Sequence, residues 1–313
     1  MISTNNTFSA AKDQKTVFYR TWLPENKDDI RAVVQLAHGL AEHGARYERF
    51  AKALTHQGYA VYINDHRGHG ETAGELSQVG YYEDGNFWKD ALADMRQLNE
   101  VIQATHPNQS IFLFGHSMGS LLFRHYLALY GNDPSLKGAI LSGTGGDPGV
   151  LGVVGTWIAK IACFFKGRKT VVQLLDMLSF GKFNDAFKPN RTKYDWLSRV
   201  NGEVDKYVAD PYCGVIFTAG FFVDLLEGIK IINSTSTYKN TPNTLPIFLF
   251  AGDKDPVGDN GKGVKQVYEA YQKAGIKNVS CTLYPDGRHE MLNETNKEEV
   301  TKAVINWIEA QIR

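Results

Sequence analysis

Apolar residues recur along this chain with two different periods, and the alternation of the two predicts the fold class. Short apolar runs at 32–36, 59–64, 111–114, 138–142, 246–252 and 279–283 are bounded by turn residues and read as buried strands. Helical spacing follows at 47–54, at about 87–104, at Leu121, Leu122, Tyr126 and Leu129, and finally at Val300, Val304, Trp307 and Ile308. Segments 7–10 and 16–23 look like an opening antiparallel pair, which brings the strand count to eight. Strand and helix in alternation require an α/β protein whose mainly parallel sheet carries helices on both faces.

The rhythm fails between about 147 and 240. That interval holds 14 of the 37 aromatic residues, Trp157, Phe164, Phe165, Trp196, Phe221 and Phe222 among them. The division expected is an α/β core made of 1–146 and 241–313, with 147–240 inserted as a helical cap, or lid, over the carboxyl edge of the sheet.

Bulk chemistry narrows the function by exclusion. Lys plus Arg equals Asp plus Glu at 34 each and the pI is near 7.1, so no global field draws in nucleic acid. The three cysteines, Cys163, Cys213 and Cys281, lie far apart without a CxxC pair, which argues against a disulfide framework or a structural zinc site and for buried thiols in a reducing compartment. The opening residues lack a basic segment followed by an apolar one, so no secretory leader is expected and the location expected is cytoplasmic. The longest apolar stretch, 150–165, is short of the roughly 20 residues a spanning helix needs and contains Lys160. It is expected to pack on the sheet, to line an acyl tunnel or to face a lipid surface, with Lys166, Arg168 and Lys169 as a basic end suited to brief contact with anionic lipid.

The chemistry concentrates at Gly115-His116-Ser117-Met118-Gly119, which fits GxSxG between a strand and a helix. Such a nucleophile elbow exposes the serine hydroxyl on a turn too tight for side chains at the flanking positions. A serine needs a base to take its proton and a third group to orient that base. The strand at 246–252 runs into Asp253-Lys254-Asp255-Pro256, which offers Asp255 as the acid, with Asp253 as the alternative or as a turn former. His289 is the last of nine histidines and the only one after that acid, so chain order selects it as the base. The oxyanion of an acyl-transfer intermediate needs two donors, and position assigns them to the backbone N–H groups of Met118 and Leu40. The pairs His38/His43 and His66/His69 lack carboxylate or thiolate partners at ligand spacing, so they read as loop braces and no metal or cofactor is expected.

Together with His38-Gly39-Leu40-Ala41-Glu42-His43, Asp65-His66-Arg67-Gly68-His69-Gly70, Gly252-Asp253-Lys254-Asp255-Pro256-Val257-Gly258 and Arg288-His289-Glu290-Met291-Leu292-Asn293-Glu294, these residues resemble the monoacylglycerol lipase and lysophospholipase-like (serine aminopeptidase S33-type) branch of the α/β-hydrolases. The resemblance covers nearly the whole chain outside 147–240. It implies an α/β-hydrolase fold with an eight-stranded sheet and a cap, the catalytic set Ser117, Asp255 and His289, and donors at Leu40 and Met118. It further implies substrate-side roles for Glu42 and Arg46, although a salt bridge that pins their loop explains the same two residues. Ser120 departs from the further glycine of many relatives. The reaction expected is hydrolysis of an ester with one acyl chain, monoacylglycerol first and lysophospholipid next. The rivals are a short-chain carboxylesterase, an aminopeptidase and a non-catalytic binding relative.

Overall fold

The computed structural model describes residues 1–82, 85–174, 177 and 181–312. The strands are β1 (Ile2–Ser9), β2 (Thr16–Leu23), β3 (Ala32–Ala37), β4 (Tyr59–Asn64), β5 (Ile111–His116), β6 (Leu136–Ser142), β7 (Ile247–Gly252) and β8 (Val279–Tyr284). They form one eight-stranded sheet in the order β1-β2-β4-β3-β5-β6-β7-β8. The pairs β1/β2 and β2/β4 are antiparallel, and every pairing from β4 to β8 is parallel.

The helices over the sheet faces are α1 (Glu48–Thr55), α2 (Phe87–Thr105) and α3 (Met118–Tyr130), joined later by α8 (Lys262–Lys273) and α9 (Lys297–Ile312). Strands β3, β4, β5 and β7 are buried at every position because both faces are covered, which is why their sequences read as unbroken apolar runs. Side chains still alternate. On β5, Ile111 and Leu113 pack with Leu98 of α2 and Leu122 of α3, while Phe112 and Phe114 pack with Phe50 of α1 and Val304 of α9.

Two elements differ from the expectation. Strand β1 begins at Ile2 rather than near Thr7, paired residue for residue from Ile2 against Leu23 to Ser9 against Thr16. It is an edge strand with both faces largely exposed, so its Ser-Thr-Asn-Asn-Thr run has no apolar alternation to betray it. In α3, Leu121, Leu122 and Tyr126 are buried as expected, but Leu129 is turned to solvent and Leu127 takes the inward position.

Between β6 and β7 the chain forms α4 (Gly149–Lys166), α5 (Asn201–Ala209), α6 (Ala219–Ile232) and α7 (Thr235–Asn240). Helix α6 is apolar and largely buried, with Phe221 and Phe222 in the main core and Gly228 set directly against the indole of Trp88. Helix α4 rests on α6 by a narrow stripe, and Ala159 is its one fully buried residue. Val150, Leu151, Trp157, Phe164 and Phe165 are each between 64% and 83% exposed. Their face packs on neither the sheet nor any described element. The helix has the length and composition of a membrane span, and Lys160 midway along it pairs with Glu227 at 2.7 Å, which ties it to α6. The three cysteines are free and half-buried, not fully buried as expected.

Candidate active site

Strand β5 ends at His116 and α3 begins at Met118, so Ser117 alone makes the turn, at φ 50° and ψ −121°. A non-glycine residue in that region costs about 1–3 kcal/mol and persists only where its surroundings impose it. The surroundings are tight. A Cβ on Gly115 would fall 2.5 Å from the Gly119 carbonyl oxygen, and one on Gly119 would fall 2.1 Å from that of Ala37. The Ser117 N–H donates to Ser142 O at 2.9 Å, and the residue stays half-exposed.

The loops after β7 and β8 bring Asp255 and His289 to the same rim. His289 Nδ1 lies 2.9 Å from each carboxylate oxygen of Asp255, and both residues are buried. Asp253 is used otherwise: it accepts the Asp286 N–H at 2.8 Å and ties the two loops together. Nδ1–H directed at the carboxylate leaves Nε2 as the proton acceptor on the opposite edge of the ring. The ring is held on its faces by His116, centroid 4.6 Å away, and Trp196, 5.1 Å away. Burial drives the His289 pKa down, but the Asp255 carboxylate overcomes it and the net shift is upward. His116, buried and beside His289, is held down to about 4 and is neutral at pH 7.

A pH profile follows from that shift. The base form of His289 is lost as pH falls through its raised pKa, so the acid limb of kcat/KM should have its midpoint above 6.5. A limb centred below 6.5 would contradict the Asp255–His289 pairing.

The loop after β3 passes beside the serine: a Cβ on Gly39 would lie 3.2 Å from Ser117 Cβ. Leu40 is the next residue, and Met118 opens α3, where the first N–H groups have no helical acceptor. Met118 thus adjoins the nucleophile in the chain, and Leu40 follows the glycine that packs beside it. Beneath this loop, His38 Nε2 accepts the His66 N–H at 2.9 Å and its Nδ1–H donates to Gly39 O at 2.7 Å. Burial pushes His38, His66 and His69 down, so this stack is neutral packing.

Glu42 and Arg46 have internal partners. Glu42 Oε1 accepts the Gly39 N–H at 2.6 Å and the Tyr47 hydroxyl at 2.8 Å, while Oε2 accepts from Arg46 Nη1 at 2.5 Å. Arg46 forks onto Glu290 at 2.7 and 2.8 Å and lies over the Tyr207 ring of α5. Burial opposes the Glu42 charge, but its other contacts, led by the Arg46 guanidinium, outweigh burial and hold the carboxyl well below the usual range. One buried guanidinium thus joins the loop carrying Leu40 to the loop carrying His289. A cavity of about 20 Å³ lined by Glu42, Arg46, His116 and Glu290 lies against this brace, far too small for an ester.

Sequence reasoning did not assign Glu290 or Trp196. A charged residue directly after the base was a usable signal for Glu290. Nothing local marks Trp196, which reaches the site from 93 residues upstream through His289 N–H donating to its carbonyl at 3.4 Å.

A family model described as serine aminopeptidase, S33, matches residues 28–296. The chain is 28% identical over 295 residues to a monoacylglycerol lipase of Mycolicibacterium smegmatis, covering 93% of this chain and 92% of that one. It is 31% identical to a probable lysophospholipase L2 of Haemophilus influenzae, covering 97% and 91%. The crystal structure of a thermostable carboxyl esterase from Bacillus coagulans, in complex with glycerol, superposes with a TM-score of 0.91 at 29% identity over the whole of both chains.

Proposed function

The chain belongs to the serine aminopeptidase S33 family of α/β-hydrolases, in its monoacylglycerol lipase and lysophospholipase-like branch, and from that premise we propose that this ester hydrolase cleaves single-acyl esters, monoacylglycerol foremost. The observation that carries the reading is the buried Asp255–His289 pair at the rim where Ser117 occupies a strained turn. Ser117 attacks the acyl carbon as His289 Nε2 takes its proton, and Asp255 stabilises the imidazolium. The N–H groups of Leu40 and Met118 receive the developing oxyanion. His289 then protonates the leaving alcohol, and water, deprotonated by the same imidazole, releases the acid. Glu42 and Arg46 serve the substrate indirectly, by fixing Gly39 and hence the Leu40 donor. The mechanism asks for no metal or cofactor.

The insertion at 147–240 acts as the cap, and α4 is the part of it that meets lipid. Two of its three basic neighbours are committed: Arg168 pairs with Asp224 at 2.7 Å and Lys169 lies over the Tyr81 ring. Contact is therefore apolar first and electrostatic second. Replacing Phe164 and Phe165 by serine should weaken vesicle binding roughly 100-fold or more, since each buried phenylalanine contributes about 1.5–3 kcal/mol. Turnover of a soluble acetate ester should be unchanged. Sedimentation with zwitterionic vesicles measures it, and equal binding by the variant would remove α4 from the interface.

The substrate test is a p-nitrophenyl ester chain-length series run beside monoacylglycerol and lysophosphatidylcholine. Monoacylglycerol should give the highest kcat/KM. A maximum at acetate would instead favour the short-chain carboxylesterase reading.

A further inference from the structure

We propose that His43, Asp210 and Cys213 form a binding site for a zinc-type divalent cation, on the seam between the loop after β3 and the turn after α5. Their ligating atoms all lie within 4.8 Å of one another, and His43 Nε2 is 2.9 Å from Asp210 Oδ2. Imidazole, carboxylate and thiol together make a borderline-soft donor set, which suits zinc far better than calcium or magnesium. Zinc at about 2.0–2.3 Å from each atom requires the three side chains to close in from this spacing.

The scaffold is already built. The Cys213 N–H donates to Asp210 O at 3.0 Å, closing a turn that sets the two side chains together. Asp210 Oδ1 accepts the Tyr212 N–H at 2.9 Å, which orients the carboxylate and leaves Oδ2 toward His43. The Tyr212 ring packs on the His43 ring at 5.5 Å. Ala41 O accepts from Gly214 N–H at 3.0 Å and from the Tyr207 hydroxyl at 2.9 Å, so the two segments are in register without a metal. His43 and the Cys213 thiol are buried and Asp210 is half-exposed, so the carboxylate side of the cluster is the one nearest solvent.

Arg46 lies near the thiol but is itself ion-paired with Glu42 and Glu290, so Asp210 is the carboxylate that supplies charge to a cation here. On binding, the thiol proton is released to solvent, the imidazole proton moves to Nδ1, and Nε2, Oδ2 and Sγ each donate a lone pair. The cation would then tie the turn after α5 to the loop after β3 that carries Leu40.

Cobalt reports such a site directly, because a thiolate ligand gives an intense near-ultraviolet charge-transfer band. Titration of the intact protein with Co2+ should give that band at one ion per chain, and Zn2+ should abolish it. The band should vanish in Cys213→Ser, and Asp210→Asn and His43→Gln should each weaken binding at least tenfold. No band, a band retained in Cys213→Ser, or unaltered affinity in both Asp210→Asn and His43→Gln, the mark of a metal on a lone thiolate, would overturn the site. A second measurement needs no substitution: Zn2+ should slow iodoacetamide labelling of Cys213 at least tenfold while leaving Cys163 and Cys281 unaffected. Equal labelling of Cys213 with and without Zn2+ overturns it as well. Neither readout depends on the esterase activity.

Discussion

Ser117→Ala should lower kcat/KM for p-nitrophenyl esters and for monoacylglycerol by about 10⁶-fold, the scale on which a triad loses turnover without its nucleophile. That is about 8 kcal/mol of transition-state stabilisation. Two features of the site make the loss specific to chemistry. The turn at 117 is imposed by the approach of Gly119 to Ala37 and by the Ser117 N–H bond to Ser142, neither of which uses the hydroxyl. Alanine at φ 50° carries the same strain as serine, so the thermal unfolding midpoint should stay close to wild type. Burst-phase release of p-nitrophenol should vanish together with turnover. Retention of even a tenth of wild-type activity would mean that another residue attacks the ester, and the reading of the elbow would fall.

Arg46→Ala should be the most damaging change outside the triad. It leaves Glu42 and Glu290 buried without their shared partner, and breaking a buried ion pair from one side costs about 3–5 kcal/mol. The damage reaches function through two routes. Glu42 loses the charge that keeps it ionised and available to the Gly39 N–H, while Glu290, adjacent to the base, is freed to move. We expect a lowered urea midpoint, and a fall in kcat with little change in KM. The origin of the penalty can be isolated by adding Glu42→Gln and Glu290→Gln to Arg46→Ala. Removing the stranded charges should recover part of the stability, whereas a purely packing role for the arginine predicts a further loss. An Arg46→Ala protein within about 1 kcal/mol of wild type would show that the brace is dispensable.

The parallel sheet and the order of its reactive residues could be read from sequence because each follows from local rules. A doubly covered strand is apolar throughout, and an elbow needs small residues on both sides of its serine. Where two solvent-facing strand faces remove the apolar signal, as at Ile2–Asn6, the pattern falls silent although the backbone ladder is complete. The carboxylates Asp253 and Asp255 look alike on paper, and only the path of the β8 loop decides which one meets the imidazole. Partners across long separations were out of reach for the same reason. His43 and Asp210 are 167 residues apart, and Arg46 and Glu290 are 244 apart, so no spacing rule joins them.

The hydrogen bonds that bind the His289 loop to the segment around Trp196 restrict how this protein can be taken apart. Besides His289 N–H to Trp196 O, the Glu290 N–H donates to Leu197 O at 2.8 Å and Ser198 Oγ donates to Asn293 O at 2.8 Å. Excising everything between β6 and β7 to make a minimal hydrolase would strip the imidazole of one wall and its backbone of an anchor. A chimera that grafts a relative's lid onto this scaffold must therefore retain Trp196, Leu197 and Ser198, with exchange confined to the outer helix, where substrate preference can be redrawn without loosening the proton-transfer machinery.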